Sequence, residues 1–285
     1  MYVLFFLGKI IALSLPRPAR YRFAKMCSLL QYRFSRRDRE TVRNNLLPVI
    51  GPEERERYTR RVFVNFGYYL ADFFTYSRIT PAFLKKYVTV EGEANLRQAM
   101  ARGRGVIALT AHLGNYELGG AVVALRGYPF CAVALPHKVQ KVNEFFNAQR
   151  KRVGIEVIPT GIAVKRCLKR LREGKIIAFL GDRDFFGGGI ATPLCGERAI
   201  LPKGAAYFAQ KTGAAIVPSF FVRDSLYHYR LIFEPPIFTE RHMSENQILR
   251  QFAPVLERYI RAFADQWYMF GPFWEKDVKD ANGYS

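Results

Sequence analysis

Four cysteines stand among 285 residues, at positions 27, 131, 167 and 195, and no two form a Cys-x-x-Cys pair. That spacing excludes a disulfide framework and a Cys-rich zinc site, and a reducing compartment is the simpler expectation. Acids are scarce beside bases, 24 Asp+Glu against 44 Lys+Arg, for a formal charge of +20. Histidines number 4, and His137, His228 and His242 show no ligand spacing, so no metal is expected. A Gly-x-Ser-x-Gly elbow is missing, which argues against a serine nucleophile. Gly187-Gly188-Gly189 lacks the Gly-Lys-Ser/Thr ending of a P-loop and reads instead as a mobile loop. Zinc-finger and RNA-binding sheet signatures are missing too, so no nucleic acid is expected as partner. There is no internal repeat, low-complexity run or linker.

Long apolar runs are also lacking. The longest apolar stretch, MYVLFFLGKIIALSL, is interrupted by Lys9 and closed by Pro16. As a helix it would reach about 22 Å at 1.5 Å per residue, short of the ~30 Å hydrocarbon core of a bilayer. Its basic residues (Arg17, Arg20, Arg22, Lys25) follow it rather than precede it, unlike a secretory signal. The pattern predicts a monotopic anchor, an apolar helix sunk into one leaflet with a basic collar on anionic headgroups. The plainer alternative is a buried helix.

What is present describes a folded protein. Hydrophobic residues make up 49% and aromatics 15%, which rules out global disorder. The length suits one large domain, or a core with a helical appendage. The excess of positive charge implies a polyanionic partner: nucleic acid, an anionic membrane surface or an acidic carrier protein. The charge is clustered: residues 17–61 hold 13 Lys/Arg against 5 Asp/Glu, and residues 138–175 hold 11 against 3. The bases at 165–172 are spaced to decorate a solvated helix face.

Residues 1–86 read as a helical N-terminal region. Within it, Pro52-Glu53-Glu54 starts a helix over 52–78 whose Val62, Phe63, Phe66, Tyr69, Leu70 and Phe73 recur at core spacing. From residue 87 strands and helices alternate. Strands are expected at 87–90, 105–111, 130–135, 155–158, 175–181, 214–222 and 226–233. Helices are expected at 94–102, 115–126, 139–152, 162–172, 202–212 and 244–264. This grammar predicts an α/β core over 87–285 with a largely parallel central sheet flanked by helices, and ligands beyond the carboxyl ends of its strands.

The segment Thr110-Ala111-His112-Leu113-Gly114-Asn115-Tyr116-Glu117 carries the chemistry. On one helix, His112 and Glu117 would point about 140° apart. But His112 follows an apolar strand, and Gly114-Asn115 permits a sharp turn into the next helix. His112 would then sit at the strand's end with Glu117 folded back towards its ring. A carboxylate on one ring nitrogen fixes the tautomer and leaves the other nitrogen to act as a general base. A lone histidine capping a strand is the bland reading of the same residues.

Around this box stand Gly181-Asp182-Arg183-Asp184, then Phe185-Phe186, then Gly213-Ala214 leading to Val217-Pro218, and finally Gln266-Trp267-Tyr268-Met269-Phe270-Gly271-Pro272-Phe273-Trp274. Over most of the chain, this set resembles the bacterial lipid A late acyltransferases (lauroyl/myristoyl type), a branch of the lysophospholipid acyltransferase superfamily. The resemblance implies transfer of a fatty acyl chain from an acyl carrier protein or coenzyme A thioester to a hydroxyl of a membrane glycolipid, at the cytoplasmic face of the inner membrane. It implies no cofactor beyond that co-substrate. Residue by residue, His112 matches the catalytic base, Glu117 the acid that orients it, and Tyr116 the aromatic that usually precedes the acid. Arg150, with Arg152 as second choice, matches an arginine that would hold a phosphate or stabilise oxyanion charge. Asn115 lies inside the box. Asp182, Arg183 and Asp184 match the second acidic box, whose carboxylates would position the acceptor or Arg150. Gly271 departs from the pattern, standing where relatives often carry a base, and the N-terminal apolar segment is shorter than the usual anchor.

Charge fits this picture, since an acyl carrier protein is acidic and membrane lipids are anionic. The block at 138–175 would dock the carrier and that at 17–61 would face headgroups, or the reverse. The aromatic run 267–274 would form either a membrane-interface belt or part of the core. Other acceptors (a lysophospholipid, a mannosylated or amino-acid lipid) and a non-catalytic, basic membrane-binding protein are the competing readings.

Overall fold

The computed structural model describes residues 2–137, 139–185, 187–240 and 242–281; Lys138 of the second basic block and Phe186 of the aromatic pair lie outside them. Five helices come first: α1 (Tyr2–Ser14), α2 (Arg17–Phe34), α3 (Arg36–Ile50), α4 (Arg55–Phe73) and α5 (Pro81–Tyr87). The alternating part follows as β1 (Val88–Glu91), α6 (Glu93–Met100), β2 (Val106–Thr110), α7 (Tyr116–Leu125), β3 (Phe130–Ala134), α8 (Gln140–Arg152), β4 (Glu156–Pro159), α9 (Ala163–Arg172) and β5 (Ile176–Leu180). Then come β6 (Ile190–Leu194), β7 (Glu197–Leu201), α10 (Gly204–Thr212), β8 (Ala215–Arg223), β9 (Tyr229–Phe233), α11 (Glu245–Ala262) and α12 (Glu275–Ala281).

Seven strands form the central sheet in the order β1-β9-β8-β2-β5-β3-β4. Every pairing is parallel except β8 with β9, so the sheet is largely parallel, as the alternation predicts. Parallel strands joined by helices are covered on both faces, and their sequences show it. Val106, Ile107, Ala108 and Leu109 of β2 are all buried, as are the first eight residues of β8. One hydrophobic cluster joins Val42, Leu46, Val62 and Phe63 of α3 and α4 to Ile107 and Ile177 of the sheet and to Phe252 and Leu256 of α11. A second, built on Leu118 and Val122 of α7 and on Phe146 of α8, holds Val106, Ile176 and Val217. On α9, Cys167 and Leu171 are buried, while Lys165, Arg166 and Lys169 are exposed, the solvated basic face expected there.

The antiparallel β6–β7 hairpin is absent from the strands read out of the sequence, which left residues 187–201 without regular structure. Its two-residue turn, Cys195-Gly196, has φ of 53° and 82°. Two successive positive φ values make the type I′ turn that matches strand twist, but Cys-Gly lacks the Asn-Gly or Asp-Gly signal that announces it. The Cys195 N–H donates to the Glu257 carboxylate of α11 at 2.8 Å, which pins the turn.

In the N-terminal region α2 packs along α4. Gly67 makes this possible, because a Cβ there would stand 2.0 Å from Ser28 Oγ. Helix α1 docks through Phe5, whose ring meets Phe74, Phe145 and Phe146 with centroids 5.5–6.5 Å apart. Phe6, Leu7 and Ile10 stay exposed, and so do Phe23, Met26, Leu30 and Phe34 of α2. No helix among the described residues is long and apolar enough to cross a membrane.

Candidate active site

Strands β2 and β5 are adjacent and parallel, with Thr110 paired to Leu180 at their carboxyl ends. His112 and Asp182 each stand two residues beyond that pair. The shared register therefore delivers them to the same point above the sheet. His112 Nδ1 lies 2.8 Å from Asp182 Oδ1. The His112 backbone N–H donates to Asp182 Oδ2 at 2.9 Å, and the Trp267 indole N–H reaches the same oxygen at 3.3 Å. Asp182 is wholly buried, whereas the His112 side chain is 18% exposed.

Burial alone would push the Asp182 pKa up. The imidazole beside it and the three hydrogen bonds outweigh that effect and hold it below the usual aspartate value. An ionised carboxylate accepts only, so His112 Nδ1 donates to it, and Nε2 is the ring nitrogen left free of Asp182. Nε2 has no hydrogen-bond partner among the described residues. The ring is walled by Tyr116 and Phe185, each edge-on, at centroid distances of 5.4 and 6.2 Å.

The loop between β2 and α7 is fixed by the backbone. Gly114 has φ of +63°, and a Cβ there would lie 2.1 Å from the Phe221 carbonyl oxygen, so glycine is required. The Gly114 N–H donates to the Gln266 carbonyl at 2.9 Å, the Asn115 N–H to the Phe221 carbonyl at 2.8 Å, and the Tyr268 N–H to the His112 carbonyl at 2.7 Å. Asn115 caps α7 by accepting from the Leu118 N–H at 3.1 Å. Its amide donates to Asp72 of α4 at 3.3 Å.

Asp72, not among the residues singled out from the sequence, is the hub of a buried cluster. It accepts from Tyr21 at 2.5 Å, from Arg223 at 2.8 Å and from Tyr229. These partners come from α2, β8 and β9, so the cluster ties the helical region to the sheet beside the histidine loop. An aspartate in a helix otherwise read as core is its only sequence signal.

The expected contact between Glu117 and the ring is not made. Glu117 accepts from Arg150 Nε at 3.1 Å and from its Nη2, forming a bidentate pair in which both side chains are nearly buried. Burial works against the Arg150 charge, but the Glu117 carboxylate more than offsets it and raises the guanidinium pKa. Glu117 projects from the first turn of α7 towards α8, whereas the register of β2 and β5 gives the ring Asp182 instead. Arg152, the second choice, is exposed.

Asp184 stands apart from the ring's hydrogen bonds and accepts from the Gly189 N–H at 2.7 Å, bracing the loop before β6. Arg183 lies over the Phe185 ring at 4.7 Å. A Cβ on Gly271 would sit 2.6 Å from the Arg183 guanidinium, so that cation fills the space beside the departure from the family pattern. Trp267 and Trp274 are each 1% exposed, so of the two readings of the aromatic run these residues follow the core one.

Beside the Glu117–Arg150 pair is a cavity of about 60 Å³ at the carboxyl ends of β2, β3 and β5, walled by Thr110, Ala134 and Leu180. A second, of about 40 Å³, continues along the sheet between Leu96, Phe130 and Phe221. Thr110, Tyr116, Gly120, Phe130 and Ala178 line both.

A parallel-sheet domain that presents an imidazole on a buried carboxylate, next to an apolar recess at its strand ends, defines a class of group-transfer or hydrolytic enzymes working on substrates with an apolar part. The chain belongs to the bacterial lipid A biosynthesis acyltransferase family, whose model matches residues 1–276. It is an acyltransferase acting on lipids. It is 24% identical over 253 residues to a phosphatidylinositol mannoside acyltransferase of Mycolicibacterium smegmatis, covering 85% of this chain and 81% of that one. It is 25% identical over 264 residues to the lipid A biosynthesis palmitoleoyltransferase of Escherichia coli, covering 89% and 84%. It is 25% identical over 239 residues to the lauroyltransferase of the same organism, covering 79% and 75%.

Proposed function

We propose that this protein transfers a fatty acyl chain from a thioester of acyl carrier protein or coenzyme A to a hydroxyl of a membrane glycolipid. The observation that carries the reading is the 2.8 Å contact between His112 Nδ1 and the buried Asp182, which leaves Nε2 as a base. In this mechanism His112 Nε2 takes the proton of the acceptor hydroxyl as its oxygen attacks the thioester carbonyl. Asp182 stabilises the imidazolium that forms. The tetrahedral intermediate collapses with cleavage of the carbon–sulfur bond, and the imidazolium returns its proton to the departing thiolate. No covalent acyl-enzyme is needed. Glu117 holds Arg150, and Arg150 supplies positive charge for a donor phosphate or for oxyanion charge.

The acyl chain would enter the recess between α7 and the sheet. Tyr116 and Phe130 line both cavities and so border the path that a long chain would take. The acceptor is proposed as a glycolipid in general, because relatives of similar identity are named for a mannoside and for lipid A. The charge of +20 and the exposed apolar residues of α1 favour work at an anionic membrane surface, by peripheral attachment at the cytoplasmic face of the inner membrane.

The test is acyl transfer from radiolabelled acyl carrier protein and coenzyme A thioesters to a membrane lipid extract, with His112→Ala beside wild type. Labelled lipid made only by wild type supports the reaction and its base. Equal product from both would remove His112 from the mechanism, and no product from either donor would remove the reaction.

A further inference from the structure

Between α2 and α4 lies an open groove of about 840 Å³ that no step of the proposed reaction uses. Five cations line it: Lys25, Arg33, Arg57, Arg60 and Arg61. Its two acids are already engaged. Glu56 pairs with Arg43 at 3.5 Å and accepts from Tyr32, while Asp265 pairs with Arg61 at 2.7 Å and accepts from Asn65. Lys25, Arg33 and Arg60 are exposed and have no acidic partner among the described residues. Three uncompensated cations facing one concavity raise the local concentration of anions.

The surface beside the groove says which anion. At ~100° per residue, Leu30, Phe23 and Phe34 fall within about 80° of Met26 on one side of α2. These four are 53%, 37%, 77% and 52% exposed respectively, an apolar stripe along the helix. On the other side of Met26, Arg33, Leu29 and Lys25 fall within about 100° and line the groove. Beyond the stripe, Arg20, Cys27 and Gln31 line a mostly apolar cavity of about 220 Å³ shared with α1. Around α2 the order is therefore basic groove, exposed apolar stripe, apolar cavity. An interfacial helix has this arrangement, with its apolar strip at acyl-chain depth and its cations at headgroup depth.

We infer that the groove is a binding site for the phosphate headgroup of an anionic lipid presented by the bilayer, with its acyl chains against Met26 and Leu30. The inference rests on the membrane contact proposed above, and it moves that contact from α1 alone to α2 and the groove. Lys25, Arg33 and Arg60 are the ligands of the phosphate.

The test uses the full chain and vesicles, without an acyl donor. Vesicles of phosphatidylcholine alone are compared with vesicles containing phosphatidylglycerol, by co-sedimentation. Wild type is expected to prefer the phosphatidylglycerol vesicles, and Arg33→Ala/Arg60→Ala to bind them about 30-fold more weakly, from the loss of two cations near the surface. Lys165→Ala/Arg166→Ala, which removes equal charge from the exposed face of α9, is expected to change binding by less than about threefold. Equal loss in both double variants would reduce the effect to net charge and overturn the site. So would equal binding of wild type to both kinds of vesicle, or vesicle binding by Arg33→Ala/Arg60→Ala as tight as that of wild type. His112→Ala is expected to bind as wild type does. A protein that binds through the groove yet transfers no acyl group would refute the proposed reaction and leave the groove standing.

Discussion

His112 and Asp182 are 70 positions apart in the chain, yet their Nδ1 and Oδ1 atoms lie 2.8 Å apart. The cause is register. Thr110 and Leu180 pair at the ends of β2 and β5, the Gly181 N–H donates to the Thr110 carbonyl at 2.7 Å, and His112 and Asp182 each follow two residues past the strand end. A carboxylate fixed by strand pairing needs no folding back of a helix to reach the ring.

Asp182→Asn keeps the shape of the pair but removes its charge and allows the wrong tautomer. Acyl transfer is expected to fall by about 10³–10⁴-fold in kcat with little change in KM, by analogy with the buried aspartate of a serine-protease triad. Steady-state kinetics with a thioester donor checks this. A loss below about tenfold would show that the tautomer is set elsewhere.

Glu117→Gln strips the nearly buried Arg150 of its counter-charge. Breaking a buried pair by removing one partner costs about 3–5 kcal/mol, so thermal unfolding should shift down by several degrees. Glu117→Leu/Arg150→Met removes both charges and should recover most of the loss. Were Glu117 instead the group that orients His112, Glu117→Gln would abolish transfer with the melting temperature unchanged.

Acid should destabilise the protein in a defined range. Asp182, Glu93, Glu156 and Glu257 all have folded pKa values below their ordinary ones: Asp182 against its burial, Glu93 through Arg126, Glu156 and Glu257 against their desolvation through the hydrogen bonds they accept. A depressed carboxylate contributes stability above its unfolded pKa of about 3.9–4.3 and loses it as pH falls through the folded value. Urea midpoints should therefore be level from neutral pH down to about pH 5 and drop below about pH 4. Asp182→Asn should shallow that drop.

Cys27 is exposed, while Cys131, Cys167 and Cys195 are buried. Burial pushes the Cys131 and Cys167 thiols up to about 12 and Cys195 up to about 11, so they carry little thiolate at neutral pH. A maleimide should label one site in the native protein and four in denaturant. Cys27 borders the apolar stripe of α2, so vesicles containing phosphatidylglycerol should slow its labelling. An unchanged rate would take that face out of membrane contact.

The fold was largely legible in the sequence because its strands and helices carry their own periodicity. The apolar runs at β2 and β8, the Gly114-Asn115 turn into α7, and the alternation after residue 87 are local signals, and each corresponds to an element. The β6–β7 hairpin was not legible, because a Cys-Gly turn and a strand containing Pro193 carry none of the usual marks. At the site, the sequence singled out His112, Asn115, Glu117, Arg150, Asp182, Arg183 and Asp184, which all fall on or near the strand ends. It did not reveal how they pair.

By itself, then, the sequence placed His112 just beyond a buried apolar strand, since residue type and period are local properties, and its resemblance to a family proposed which residues would carry chemistry. Only the tertiary structure decided that Asp182 is the carboxylate on the ring, that Glu117 belongs to Arg150, and that Asp72 links α4 to the histidine loop. Those pairings depend on strand order and on helix packing, which bring together residues far apart in the chain. No spacing along the sequence encodes that β5 lies beside β2.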